Sequence, residues 1–275
     1  MNIKSLLLTF LISLSYTFIT NAQIVSIEDQ ELWIQNGDRR IYGVFHRPAK
    51  LHGKAPIAIV AHGFNGTHDF SRNYFEPLGR MGYQCYAFDF PCGSVNSRSD
   101  ANTVNMSVLD EQSDLEAIVR FFRQHPDVDL SHIVLIGESQ GGLVSALTAA
   151  AMPTYVSQLI LVFPALCIPD NWNARYPREE DIPDTTLMWN VPLGRRYFTE
   201  VRAIRPFDII KRYRRPVLIV QGDKDPVVSM DDSRRAVALY RHARLHVIPG
   251  AGHGFRPHEF AESMSQIESF LKNGK

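Results

Sequence analysis

The segment Gly137-Glu138-Ser139-Gln140-Gly141-Gly142 limits what this chain can fold into more than any other stretch. It follows the apolar, β-branched run His132-Ile133-Val134-Leu135-Ile136. It precedes Leu143-Val144-Ser145-Ala146-Leu147-Thr148-Ala149-Ala150-Ala151, which reads as helix. A G-x-S-x-G between strand and helix is a nucleophile elbow, a tight turn that holds its serine in strained backbone geometry. The glycines leave room for close backbone approach, so the Ser139 hydroxyl stands exposed above the sheet edge. Glycine and serine are common residues, and the bare pattern also occurs where it does nothing. The strand and helix on either side, and two further motifs, carry the reading.

A serine hydroxyl is a poor nucleophile until a base takes its proton, so a histidine and an orienting acid should follow. In chains with this elbow the order is Ser, then Asp or Glu, then His. The buried-strand run Val217-Leu218-Ile219-Val220 leads into Gln221-Gly222-Asp223-Lys224-Asp225-Pro226-Val227-Val228, and Leu245-His246-Val247-Ile248 leads into Pro249-Gly250-Ala251-Gly252-His253-Gly254-Phe255. Acid and histidine thus each sit in a loop just after a strand, the edge at which open α/β sheets build their sites. Of the two aspartates, Asp225 is the preferred acid. Asp223, directly after a glycine, is expected to hydrogen-bond the turn backbone. His253 is favoured over the nine other histidines by its chain position and its flanking glycines.

A tetrahedral intermediate needs donors for its oxyanion, and backbone amides supply them without reorganising. The first is the amide after the serine, that of Gln140. The second is expected from the loop after the third strand, where Pro56-Ile57-Ala58-Ile59-Val60-Ala61 runs into His62-Gly63-Phe64-Asn65-Gly66, placing the donor at Phe64 N–H. The His62 imidazole is expected to brace this loop and to move no proton.

The 275 residues are 45% hydrophobic, enough for one sizeable core. Lys plus Arg and Asp plus Glu both number 29, and this balance argues against nucleic acid or an anionic membrane as partner. The cluster Lys211-Arg212-Tyr213-Arg214-Arg215 reads as a solvated face. No zinc-type spacing, Walker loop or dinucleotide fingerprint is present, so no metal and no cofactor are expected. At the N-terminus, Lys4, the apolar stretch Ser5 to Ile19 and Thr20-Asn21-Ala22-Gln23 describe a secretory signal peptide over residues 1–22, cut after Ala22. Ser13, Ser15 and Thr17 interrupt the stretch and make it short for a membrane span, so no integral membrane segment is expected. The expected location is periplasmic or secreted. Of Cys85, Cys92 and Cys167, the first reads as a packed strand residue, and a Cys92–Cys167 disulfide is left open.

The pattern predicts strands near 24–34, 40–46, 56–61, 83–88, 132–137, 158–163, 217–221 and 244–248. Helices are predicted near 70–81, 110–124, 141–152, 230–241 and 257–272. This alternation argues for a mostly parallel sheet covered on both faces, with an antiparallel start, in one domain over 23–275. Residues 165–210, rich in Pro, Asp, Arg, Trp and Tyr, lack clean periodicity and read as a lid inserted over the serine.

The chain resembles the bacterial cinnamoyl (feruloyl) esterases of the α/β-hydrolase superfamily. The likeness runs through His62-Gly63-Phe64, Phe88-Asp89-Phe90, Asn105-Met106-Ser107-Val108, Asp114-Leu115-Glu116-Ala117, Gly137 to Gly142, Phe163-Pro164-Ala165 and Asp225-Pro226-Val227-Val228. The resemblance implies an α/β-hydrolase fold with a small inserted lid subdomain. It implies Ser139, Asp225 and His253 as a catalytic triad and the Phe64 and Gln140 amides as oxyanion hole. It further implies Tyr197 as the residue that binds a phenolic hydroxyl of the substrate, with its acidic companion falling at Asp170 or, with a gap placed differently, at Asn171; Trp172, Tyr176 and Trp189 are aromatic candidates nearby. The expected function is an exported serine carboxylesterase acting on small-molecule or oligosaccharide hydroxycinnamate esters of plant cell-wall sugars. The rivals are another acyl hydrolase (an acetyl esterase, a short-chain lipase or a peptidase) and a non-catalytic binding protein on the same fold, which has no need of all three triad residues in order.

Overall fold

The structure, a computed structural model, describes residues 27–273, so the leader expected over 1–22 lies outside the described residues. Ten strands occur among them: β1 (Ile27–Asn36), β2 (Arg39–Pro48), β3 (Ala55–Ala61), β4 (Gln84–Phe88), β5 (Val128–Glu138), β6 (Gln158–Val162), β7 (Thr185–Met188), β8 (Val191–Gly194), β9 (Val217–Gly222) and β10 (Ala243–Ile248). The helices are α1 (His68–Ser71), α2 (Phe75–Arg80), α3 (Val108–Gln124), α4 (Ser139–Ala151), α5 (Ile168–Arg175), α6 (Arg195–Val201), α7 (Pro206–Ile209), α8 (Met230–Leu239) and α9 (Pro257–Asn273). Eight strands form one sheet in the order β1-β2-β4-β3-β5-β6-β9-β10. The first two pair antiparallel with each other, β2 pairs antiparallel with β4, and every later pairing is parallel. This is the expected α/β-hydrolase architecture, with its antiparallel start.

The period of two along the central strands explains the two-sided core. In β3, Ile57, Ile59 and Ala61 face one layer, where Leu115, Ile118 and Phe122 of α3 and Leu143 and Leu147 of α4 close over them. The alternate residues Ala58 and Val60 face the other layer, with Leu78 of α2 and Met264, Ile267 and Leu271 of α9. Each Val, Leu, Ile, Phe or Met side chain among these, taken fully out of water, contributes about 1.5–3 kcal/mol. Helix α4 is buried from Gln140 through Ala150, as its nearly continuous small and apolar sequence requires. Among the described residues no helix is long and apolar enough to cross a membrane.

Two expectations change in detail. The helix read over 70–81 is two short helices joined by a 3-10 turn, Arg72–Tyr74. Pro77, just inside α2, has no N–H to continue an α-helical ladder from the preceding turn. The strand read at 132–137 begins at Val128, although Asp129, Ser131 and His132 are polar; their side chains bond one another at the exposed end of β5. The irregular stretch 165–210 is an inserted cap made of α5, the β7–β8 hairpin, α6 and α7. The Cys92–Cys167 pairing is not formed: all three cysteines are free.

The elbow depends on missing side chains. A Cβ on Gly137 would overlap the Gly141 carbonyl and the Ser145 hydroxyl, and one on Gly141 would overlap the Ala61 and His62 carbonyl oxygens. Helix α4 therefore starts in contact with the backbone of the strand end beside it. Gly141→Ala should destabilise the fold by about 1–3 kcal/mol or more, as overpacking does. Chemical denaturation would read this as a lower midpoint at unchanged slope. A variant as stable as the parent would show that the two segments can separate at no cost.

Candidate active site

Three loops at the carboxyl edge of the parallel strands meet at Ser139. The serine is the first residue of α4 and holds a left-handed backbone, φ 49°, which a non-glycine residue adopts only under constraint. Its Oγ lies 2.9 Å from His253 Nε2, and His253 Nδ1 lies 2.8 Å from Asp225 Oδ2. Asp225 Oδ1 accepts from the backbone N–H groups of Val227 (2.8 Å) and Val228 (2.9 Å), and Oδ2 also accepts from Gln221 Nε2 at 3.0 Å. Burial alone would raise this carboxyl. The hydrogen bonds from His253 and the two amides outweigh burial and hold it below the ordinary aspartate range. Asp223 accepts from a backbone amide, as expected of it, but from that of Gly250 at 2.6 Å and not from its own turn, and so joins the acid-bearing and histidine-bearing loops.

The loop after β3 brings Phe64 beside the serine. Gly63 packs so closely that a Cβ there would sit 3.1 Å from Ser139 Cβ. Phe64 N–H has no hydrogen-bond partner among the described residues, and Gln140 N–H lies in the first turn of α4, where amides have no intrahelical acceptor. His62 is buried between a carbonyl and an amide: Nδ1 is 2.7 Å from Gly63 O, and Nε2 accepts from Phe90 N–H at 3.1 Å. Burial lowers its pKa, which suits a neutral ring that braces the loop.

A cavity of about 410 Å³ opens beside Ser139 beneath the cap, lined by Phe64, Ile168, Trp172, Met188, Trp189 and Tyr197 among others. Its size and apolar walls suit a small organic group. Tyr197 lines it at 1% exposure, with its hydroxyl already donated to Gln140 Oε1 at 2.8 Å. Asn171 lines the cavity and Asp170 does not, so the structure brings Asn171, and not Asp170, to this wall. Trp172 and Trp189 line it too, whereas Tyr176 stacks behind Trp172. Among the described residues no group of three or more His, Cys, Asp or Glu side chains is arranged to hold a metal ion.

Two further acids stand at the site, neither singled out by the sequence reading. Glu111 of α3 is buried and accepts both its hydrogen bonds from Gln140 Nε2, each 2.9 Å; burial pushes it up to about 8, against the pull of Gln140. Glu138, the residue before the serine, accepts from the Tyr74 hydroxyl at 2.6 Å and is pushed up to about 7 by burial. Glu111 reads in sequence as an ordinary first-turn acid of a helix, and Glu138 as a free position of the elbow. The clue for Glu111 was its place on the apolar face of α3, four residues before Leu115.

The residues matched by the profile of the alpha/beta hydrolase family are 58–263, most of the chain, and the chain belongs to that family. Hydrolase is the class that fold and family define. The chain is similar to a probable 2-oxo-3-(5-oxofuran-2-ylidene)propanoate lactonase of a Bradyrhizobium species, 23% identical over 236 residues that cover 81% of this chain and 82% of that protein. It is also similar to the uncharacterized peptidase YtmA of Bacillus subtilis, 24% identical over 176 residues, 60% of this chain and 64% of YtmA. Among solved structures it is similar to Est1E of Butyrivibrio proteoclasticus with ferulic acid bound, at a TM-score of 0.80 and 25% identity, covering 88% of this chain and 98% of Est1E.

The buried acids tie stability to pH. Glu111 and Glu138 have folded-state pKa values near 8 and 7, above the 4.5 of a free glutamate, so the folded state holds more protons between those limits. Stability from this source is full below pH 4.5 and is lost as pH rises through 7 and 8, by at most about 1.4 kcal/mol per pH unit for each group. Glu111→Gln should flatten the decline in melting temperature between pH 6 and 8; an unchanged slope would show that Glu111 is ionised in the fold.

Proposed function

We propose that this chain is an exported serine carboxylesterase that hydrolyses hydroxycinnamate (feruloyl) esters of plant cell-wall sugars. The observation that carries the reading is the unbroken line from Ser139 Oγ through His253 to Asp225 at the mouth of an aromatic-walled cavity. In the proposed cycle Ser139 Oγ attacks the ester carbonyl while His253 Nε2 takes its proton. Asp225, held ionised, fixes the imidazole with Nδ1–H toward itself and stabilises the imidazolium. The Phe64 and Gln140 amides take the oxyanion. His253 then protonates the departing alcohol oxygen, leaving the acyl group on Ser139. Water, deprotonated by the same imidazole, attacks that acyl group; collapse releases the acid and returns the proton to Ser139.

The feruloyl choice is supported by the likeness to Est1E, which holds ferulic acid, and by the cap residues Trp172, Trp189, Asn171 and Tyr197 around the cavity. Tyr197 donates its proton to Gln140, so in this reading its oxygen accepts the hydrogen bond of the substrate phenol. Export is supported by the leader-like residues 1–22 alone. The engagement of Tyr197 with Gln140 also favours a second reading, in which the cavity takes an acyl group with no phenol and the chain is another acyl hydrolase.

Ser139→Ala should abolish turnover with the fold intact, and Asp225→Asn should cost up to about 10⁴ in kcat. Asp223→Asn should cost far less, because its carboxylate meets a backbone amide and not the imidazole. Tyr197→Phe should slow both methyl ferulate and methyl cinnamate, since the brace on Gln140 is lost with either substrate. An additional few-fold to about tenfold loss confined to ferulate would mark the phenol contact. Equal losses on both esters would remove the phenol contact from the reading, and a strong wild-type preference for acetate esters would replace the feruloyl reading with the second one.

A further inference from the structure

Ser139 stands between two cavities, and the proton path distinguishes them. The cavity under the cap is lined by Ser139 but, among the described residues, not by His253. A second cavity of about 270 Å³ is lined by both, together with Asn65, Phe70, Glu138 and Phe163. His253 Nε2 must hand its proton to the departing alcohol oxygen, so the alcohol lies on the His253 side and the acyl group under the cap. The alcohol side does not end there. A further cavity of about 310 Å³ shares Phe70, Glu138 and Phe163 with it and adds Asn73 and Phe255. A methanol-sized leaving group would leave nearly all of this space unused.

The lining indicates what fills it. Aromatic rings offer flat apolar faces, while Asn65, Asn73 and Glu138 place carboxamides and a carboxyl among them. An alkyl chain has no use for those polar groups; a sugar, with C–H faces and hydroxyl edges, uses both kinds. Glu138 sits where the two cavities join and is 4% exposed. One of its oxygens accepts from Tyr74, but Oε2 is buried without any hydrogen-bond partner. A buried carboxyl oxygen left unpaired is costly, and such an atom calls for a partner absent from the free protein.

We infer that the two joined cavities are the leaving-group subsite, that they take a polyhydroxy alcohol of sugar type, and that Glu138 is their central hydrogen-bonding group. The inference rests on the esterase reading above, and not on the identity of the acyl group. Glu138 Oε2, closed to solvent in the free protein, reaches a sugar hydroxyl as its side chain turns toward the groove, and the exposed Phe70 ring, 55% accessible, packs on the sugar face. The cap cavity then selects the acid while the opposite groove selects the alcohol.

Two ester series test this, ferulates and acetates, each as the methyl ester, the butyl ester and the ester of methyl arabinofuranoside. Within any series that is hydrolysed, the wild-type kcat/KM should favour the sugar ester over the methyl ester by about tenfold or more. Glu138→Gln, and separately Phe70→Ala at the surface, should each lower that sugar-to-methyl ratio by about three- to tenfold, mainly through KM. A wild-type ratio near one, a ratio unmoved by both variants, or a preference for butyl over sugar ester overturns the subsite. Turnover of acetates alone with the sugar preference intact removes the feruloyl reading and leaves the subsite standing. Ferulate turnover without sugar preference does the reverse, and a protein silent on both series overturns both.

Discussion

The contact of bare backbone with bare backbone at the elbow is the constraint on which the site depends. Gly141 brings α4 against the carbonyls of Ala61 and His62, and Gly142 brings it against Pro164, so the ends of β3, β5 and β6 are locked together around Ser139. That packing holds Ser139 at a φ that costs of order 1–3 kcal/mol. The strain is not confined to the serine. Of the six described non-glycine residues at positive φ, four (Asn65, Ser139, Phe163 and Trp189) line the cavity that Ser139 shares with His253. Phe163 also packs its ring 4.9 Å from the His253 ring, so a strained backbone position supports the histidine from below. The stability of the two-layered core is what holds these conformations in place.

The cap is bound into this arrangement and is not a loose flap. Arg196 of α6 pairs with Asp110 of α3 at 2.7 Å, the Ser107 hydroxyl that caps α3 also bonds Glu200, and Thr103 reaches the Pro192 carbonyl at 2.7 Å. Inside, Tyr197 reaches Gln140, whose side chain continues to Glu111. The residue whose amide is the first candidate oxyanion donor is therefore tied by its side chain to both the cap and α3. At the tip of the β7–β8 hairpin Leu187 and Trp189 are about two-thirds exposed, yet the Trp189 ring still packs 5.7 Å from that of Phe64.

Much of this was legible because it rests on local chemistry. Strand, elbow and helix are contiguous, and the two aspartates differ in sequence by which one adjoins the glycine; Asp225 meets His253, while Asp223 meets the Gly250 amide of the neighbouring loop. The interior of the cap was not legible. Its hairpin turns at Trp189-Asn190, both with positive φ, and a tryptophan there carries no turn signal. The role of Asn171 against Asp170 depends on which face of the short helix α5 meets the cavity, and one residue of rotation decides it. Glu111 and Glu138 went unread for a related reason. A lone acid in sequence is read as solvated, and only tertiary packing removes its water.

The acids around Ser139 show how one functional group is given opposite states. Asp225 has a side chain 1% exposed, yet it collects four donors: two amides, Gln221 and His253. Glu138 is buried more deeply and collects one, the Tyr74 hydroxyl, so its proton stays on to near neutrality. Depth of burial and donor count together separate them. The consequence is spatial. Fixed negative charge is placed behind His253, where positive charge develops during proton transfer. The near-neutral carboxyl next to the serine adds little negative charge where the oxyanion would form. A fully ionised Glu138 would oppose that oxyanion in a low-dielectric interior; burial keeps this opposition weak, and the one hydrogen bond from Tyr74 is too little to reverse it.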